Sequence, residues 1–247
     1  MRALWFSLAL LAAPAQAAVY DEFEVHGTDI APAGGWSLDQ HFNYGLRGQR
    51  QGGFRGALTP NNGALATTEI SRGVTNWWES ALYLPQAVDP RGGWHVGGAK
   101  WRNLFVLHGQ GEPSSFGVLT ELRLLSRRFQ PTTMGWEVRP IASHTAGRWT
   151  AVATLGFAGG LGPRAETALS PALRLDYAVS ERLTLGAEHY ADLGAINHPV
   201  GFNRQAHQSF AVAETEWHGA TLVLGLGRGL TPASDRWVVK ARVAVGF

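Results

Sequence analysis

The stretch Trp237-Val-Val-Lys-Ala-Arg-Val-Ala-Val-Gly-Phe247 alternates strictly. Trp237, Val239, Ala241, Val243, Val245 and Phe247 fall on one face, and Val238, Lys240, Arg242, Ala244 and Gly246 on the other. Successive side chains of a strand point to opposite faces, so this segment reads as a strand with one apolar and one charged side. The same split recurs upstream. Leu173, Leu175 and Tyr177 alternate with Arg174 and Asp176, and Phe116, Val118, Leu122 and Leu124 with Glu121 and Arg123. Trp136 and Val138 alternate with Glu137 and Arg139, Leu183 and Leu185 with Thr184, Gly186 and Glu188, and Leu222, Leu224 and Leu226 with Val223, Gly225 and Gly227.

Twelve strands are expected, near 35–46, 64–73, 77–88, 94–108, 114–126, 134–145, 148–157, 166–179, 182–192, 205–217, 220–228 and 235–247. Ten or fourteen are the nearest alternative counts. Strands of soluble sandwiches run to about 5–6 residues, whereas a tilted strand needs about 9–11 to cross a bilayer. The connections alternate as well. Val74–Asn76, Gly109–Pro113, Ala146-Gly147, Ser180-Glu181 and His218-Gly219 are short, and the intervening links are longer. Short periplasmic turns and long outer loops give that pattern, and it puts both ends of the barrel on the periplasmic side. Trp36, Trp77, Trp78, Trp94, Trp136, Trp149, Trp217 and Trp237 sit at or near strand ends, as rings at the headgroup level would; Trp101 is mid-strand. These features select a transmembrane antiparallel up-and-down β-barrel, an all-β fold that leaves no strand edge in lipid.

Composition narrows the function. The chain has 247 residues, no Cys, 31 Gly and 10 Trp, and Lys plus Arg of 21 against Asp plus Glu of 19. The absence of Cys removes disulfides and thiolate chemistry. The small net charge argues against nucleic acid as partner. The mean hydropathy of −0.08 arises from two faces cancelling. Met1-Arg2, the apolar run Ala3–Ala13 and the small-x-small site Ala15/Ala17 read as a secretory signal peptide over residues 1–17. Residues 18–34 then form a periplasmic lead-in or a small plug, and 35–247 the barrel. Tyr20–His26 alternates, whereas Gly27–Gly35 is turn-like, and a lead-in is the favoured reading.

The final strand, Lys240–Phe247, resembles the C-terminal signal of bacterial outer-membrane proteins, with a terminal aromatic residue and apolar residues at alternate positions before it. It departs from that pattern at Arg242, where Gly is common. The resemblance implies insertion in the outer membrane of a Gram-negative bacterium, with outer-membrane lipid and the barrel-assembly machinery as partners. The stretches Glu69–Glu79 and Tyr177–Gly186 resemble periplasmic hairpins of small transporter-like barrels of the phenol meta-pathway outer-membrane family. That resemblance implies a transporter.

With apolar faces toward lipid, the inward residues are Asp39, Glu69, Glu79, Lys100, Arg102, Glu121, Arg123, Glu137, Arg139, Arg174, Asp176, Glu188, Glu214, Glu216, Lys240 and Arg242. Charges at i and i+2 share a face, so ladders of ion pairs are expected. A mixed-charge lumen suits a passive channel for small hydrophilic or aromatic solutes; the same charges could equally fill a plugged, structural barrel. An outer-membrane lipid hydrolase is the other alternative. His207-Gln208-Ser209 puts His and Ser on one face near the outer rim, superficially resembling the His-x-Ser of an outer-membrane phospholipase. No orienting residue is evident, although Asn197 and Asn203 lie near. Parity puts His189 with Leu183, Leu185 and Ala187 on the lipid face. That position suits a ring at the outer interface, a local bulge that turns it inward, or a lipid-facing catalytic His. No metal or cofactor motif is present: nine His residues are scattered without a His-x-x-x-His helix, and the two Met residues carry no copper-binding signature.

Overall fold

The computed structural model describes residues 20–162 and 165–247. The expected signal peptide over residues 1–17 lies outside the described residues. Thirteen strands follow in order: β1 (Trp36–Arg47), β2 (Ala64–Thr75), β3 (Trp78–Val88), β4 (Trp94–Val96), β5 (Gly98–His108), β6 (Ser114–Leu125), β7 (Met134–Ala146), β8 (Trp149–Gly160), β9 (Thr167–Ala178), β10 (Leu183–Asp192), β11 (Ala206–Trp217), β12 (Ala220–Gly229) and β13 (Trp237–Gly246). Each long strand pairs antiparallel with its chain neighbours. β1 pairs with both β2 and β13, which closes the ring at twelve long strands.

The expected single strand over 94–108 is broken. β3 pairs Gln86 with Val96 but Tyr83 with Lys100, so the register slips by one residue at Gly97-Gly98. This is a β-bulge, and it reverses the parity of the short β4 relative to β5. Gly98 takes a φ of +117°, which a side chain rarely adopts, and an added Cβ would sit 2.2 Å from the Leu124 carbonyl oxygen.

The outer surface is apolar. Leu38, Phe42, Leu82, Leu122, Leu124, Leu173, Leu175, Leu185, Leu224, Leu226, Val243 and Val245 are all exposed. Trp36, Trp77, Trp149 and Trp217 mark the periplasmic end, and Trp94, Trp136 and Trp237 the outer end. An exposed apolar belt between two aromatic girdles is the surface of a barrel that spans a membrane.

The interior is where the sequence misleads most. Three apolar clusters fill it, and each contains at least one residue of the segment before β1. Tyr20 packs with Leu58, Leu65, Ala87 and Phe129. Phe23 packs with Phe210, Val212, Val238 and Tyr190. Val25 packs with Leu104, Leu119, Ile141, Val152 and Ala172. Residues 20–35 therefore run inside the barrel. Their direction is fixed at both ends. Tyr20 donates to the Thr59 carbonyl in the long β1–β2 loop, at 2.8 Å, so the segment begins at the outer mouth. Ala33 forms a parallel bridge with Gly73 near the periplasmic end of β2, after which the chain turns into β1. The barrel begins and ends at the periplasmic side, whereas residues 20–26 before it lie toward the outer mouth.

Candidate functional site: the lumen and its N-terminal segment

Alternation in Tyr20–His26 serves two walls at once. Phe23 and Val25 meet the apolar stripes just named. Glu22, Glu24 and His26 meet charges projecting from the opposite side. Lys100 on β5 faces Asp21 at 2.5 Å and also pairs with Glu22. Arg242 on β13 lies 2.9 Å from Glu24 and 3.3 Å from Asp39. Arg102 on β5 lies 2.5 Å from Glu69 and touches the His26 ring. The Glu79 carboxylate accepts from the Ala31 amide at 2.7 Å. Lys240 pairs with Glu188 and donates to the Phe23 carbonyl at 2.9 Å. Asp21, Glu22 and Glu24 are thus countercharges to basic residues of the wall.

The remaining inward charges pair along and between strands. Arg123 lies 2.6 Å from Glu121 and pairs with Glu137; Arg139 donates to Glu137 at 2.7 Å. Arg174 reaches Asp176 at 2.7 Å and Glu214 at 2.8 Å. Glu188 also accepts from the Tyr190 hydroxyl at 2.6 Å. A buried charge is tolerated only when paired and hydrogen-bonded, which this packing of guanidinium against carboxylate achieves. Glu216 alone of the sequence candidates sits exposed at a periplasmic turn, accepting from Thr221 at 2.5 Å.

The two halves of the lumen differ. The outer half is filled by Tyr20, Phe23 and the inward aromatic rings, and the outer loops are tied over it. Leu58 donates its amide to the Arg128 carbonyl at 3.1 Å, and Gln49 binds Asp235, Pro232 and Ser234 at 2.6–2.8 Å. The periplasmic half holds a cavity of about 700 Å³, bordered by Asp29, Ser37, Arg148, Thr150, Asp176 and Glu214. That size suits a small molecule.

Glu24, His41 and Glu69 offer three donor atoms within 4.8 Å of one another, as a small metal site would. Both carboxylates already face a guanidinium, Glu24 that of Arg242 and Glu69 that of Arg102, so the cluster is neutralised without an ion.

On the lipid side, β10 keeps an unbroken register with β9 and β11, so no bulge turns His189 inward. The Ser209 hydroxyl contacts His189, at 2.8 Å, rather than His207 two residues away on its own strand. His207 and Ser209 do share a face of β11, as the i and i+2 spacing expects, but the hydroxyl is turned across the sheet to β10, a relation that one strand's sequence does not carry.

No protein-family model and no curated protein sequence matches the chain. Solved structures do resemble it. An outer membrane channel from Pseudomonas putida F1 superposes with a TM-score of 0.65 at 10% identity, covering 92% of this chain and all of that one. The NanC porin superposes with a TM-score of 0.55 at 8% identity, covering 86% of this chain and 98% of the porin. At such identities the likeness is one of fold. With its apolar belt and girdles, the chain is a β-barrel of the bacterial outer membrane, built on the architecture of channels and porins.

Proposed function

We propose that the protein is a passive outer-membrane channel for small solutes, closed at its outer half by its own residues 20–35. The observation that carries this reading is that the blocking part, residues 20–26, is held by countercharges, from Asp21, Glu22 and Glu24 to Lys100 and Arg242, and the segment meets the backbone of the wall only beyond it, at Ala33 and Gly73. A further strand hydrogen-bonded into the ring would be permanent. An extended segment lying in the lumen can leave, because the barrel is already closed without it. The periplasmic cavity then acts as a vestibule. Its rim of Arg148, Arg174, Asp176 and Glu214 presents both signs of charge, which favours small polar or zwitterionic solutes over polyanions. Aromatic solutes suit the same path, because Tyr190 and Phe210 are left to line it once Phe23 has withdrawn with the segment.

Liposomes carrying the purified protein test the reading. Uptake of small neutral and zwitterionic solutes above that of empty liposomes, with exclusion of a polyphosphate, is the expected result. Liposomes impermeable to all three classes would favour the other reading, a plugged barrel whose charges serve only to fill it.

A further inference from the structure

Against the apolar outer wall, one polar row stands out. Reading across the sheet from β9 to β13, the paired residues are Leu173, His189, Ser209, Arg228 and Trp237. The central three are polar where the next lipid-facing row toward the periplasm holds Leu175, Ala187, Ala211, Leu226 and Val239, and the row on the rim side adds His207 opposite Ala191.

The hydrogen bonds in this row run one way. Gln205 donates its side-chain Nε2 to the Val200 carbonyl at 2.9 Å, which fixes the orientation of the amide. Its Oε1, an acceptor only, then lies 3.0 Å from His207 Nε2, so that nitrogen carries the proton. His207 Nδ1 is therefore bare and accepts from His189 Nε2 at 3.2 Å. His189 Nδ1 is bare in turn and accepts from the Ser209 hydroxyl at 2.8 Å. The His189 and His207 rings stack with centroids 5.4 Å apart, and Phe202 covers the far side of His207 at 4.8 Å. A serine hydroxyl aimed at a bare imidazole nitrogen, with the imidazole held by a further acceptor, is the arrangement that activates a nucleophile.

Depth agrees with chemistry. Ser209 lies three residues inside the outer end of β11 at Ala206. At about 3.3 Å per residue and a tilt of about 40°, that is about 8 Å below the rim. Trp237 occupies the same row, with the Arg228 guanidinium 5.4 Å over its ring. The row thus sits where headgroups give way to acyl chains. Arg228, exposed and directly opposite Ser209, supplies a cation for a phosphate or a developing oxyanion.

We infer that Ser209, with His189 as its base, is the nucleophile of a lipid-facing hydrolase for fatty-acyl esters of outer-leaflet lipids. Ser209 Oγ bonds to the ester carbonyl carbon and gives its proton to His189 Nδ1. The oxyanion collapses, the ester C–O bond breaks, and the leaving alkoxide takes that proton from His189. Water from the headgroup layer then attacks the acyl-serine, losing its proton to His189, which returns it to Ser209 as the fatty acid departs. His207 and Gln205 are positioning residues: they hold the His189 tautomer and stabilise its charged form. The proposal depends on the outer wall alone, so a lumen that proves closed to solutes leaves it standing.

The test uses the full-length protein in mixed micelles, with phosphatidylethanolamine–phosphatidylglycerol in one arm and purified lipopolysaccharide in the other. Free fatty acid is measured, and a fluorophosphonate probe is located by mass spectrometry. Release from one arm, with the probe on Ser209, is expected, and the active arm names the lipid. Ser209→Ala and His189→Asn should each lower release at least about 100-fold. His207→Gln should keep the probe on Ser209 while moving the acid limb of the pH profile. Comparing boiled and unboiled samples by electrophoresis checks that each variant is folded; labelling of the wild-type protein needs no variant at all. No release from either lipid with Ser209 unlabelled would overturn the proposal, as would release unchanged by Ser209→Ala.

Discussion

The two halves of the lumen are walled by the same strands, yet one is filled and the other is hollow. In the outer half, Tyr20 and Phe23 insert between inward aromatic and aliphatic side chains, and Asp21 and Glu22 meet Lys100. In the periplasmic half, the segment has become turn-like over residues 27–35, hugs the wall near Gly73, and leaves about 700 Å³ beside it. The difference teaches that closure is a property of seven residues, 20–26, rather than of barrel diameter.

The comparison breaks most sharply at Lys100. Lys100→Met leaves the buried Glu22 carboxylate without its cation, a loss of about 3–5 kcal/mol for a broken buried pair, while the exposed Asp21 carboxylate loses much less. A closed state weakened that far shifts the open population by about two to four orders of magnitude, read as faster solute uptake into liposomes. Phe23→Ala comes next. It removes a ring packed 4.9 Å from Phe210 and 5.3 Å from Tyr190, costing about 3 kcal/mol or more of segment docking. Because the chain has no cysteine, Val25→Cys gives a single thiol, and its labelling should accelerate in the Phe23→Ala background.

Gly73→Val probes the lower half. An added Cβ would lie 2.2 Å from the Pro32 carbonyl oxygen, so the bridge at Ala33 must open. Since that contact shapes the vestibule and not the block, an Asp29→Cys thiol should change its labelling rate while Val25→Cys stays protected. The smallest effect lies outside both halves, in the β3–β4 loop. Asp89 accepts from His95 at 2.8 Å and from the Arg91 and Gly93 amides, and these bonds hold its carboxyl down to about 2 from an ordinary 3.8. A depressed carboxyl stabilises its fold above the ordinary value and loses that contribution as pH falls through the lower one. The loop should therefore loosen between about pH 4 and pH 2, seen in hydrogen exchange of the Gly93 amide, and Asp89→Asn should abolish the dependence.

Much of this architecture was readable in the chain because a period of two with opposite solvents on its faces admits few alternatives. Parity identified the inward charges, and the alternation of turn lengths set which end is which. Four features escaped for physical reasons. The Gly97-Gly98 bulge changes parity through register with β3, a relation between strands. The inner apolar stripe of Leu104, Leu119 and Ile141 hides at positions counted as polar by their neighbours. The segment 20–26 carried a signal, its alternation, but alternation does not say what lies on either side. Three acidic residues within four positions, Asp21, Glu22 and Glu24, against basic wall residues were the cue to an interior position. The Ser209–His189 contact likewise needed the pairing of β10 with β11, while the sequence offered only the i and i+2 relation to His207.

Single-channel recording in planar bilayers, comparing the wild-type protein with Lys100→Met, tests the central claim most directly. The account expects the wild type to be closed with brief, rare openings, and the variant to show long openings of the same or larger step size. Equal open times in the two proteins, or a wild type that conducts steadily, would contradict closure by residues 20–26.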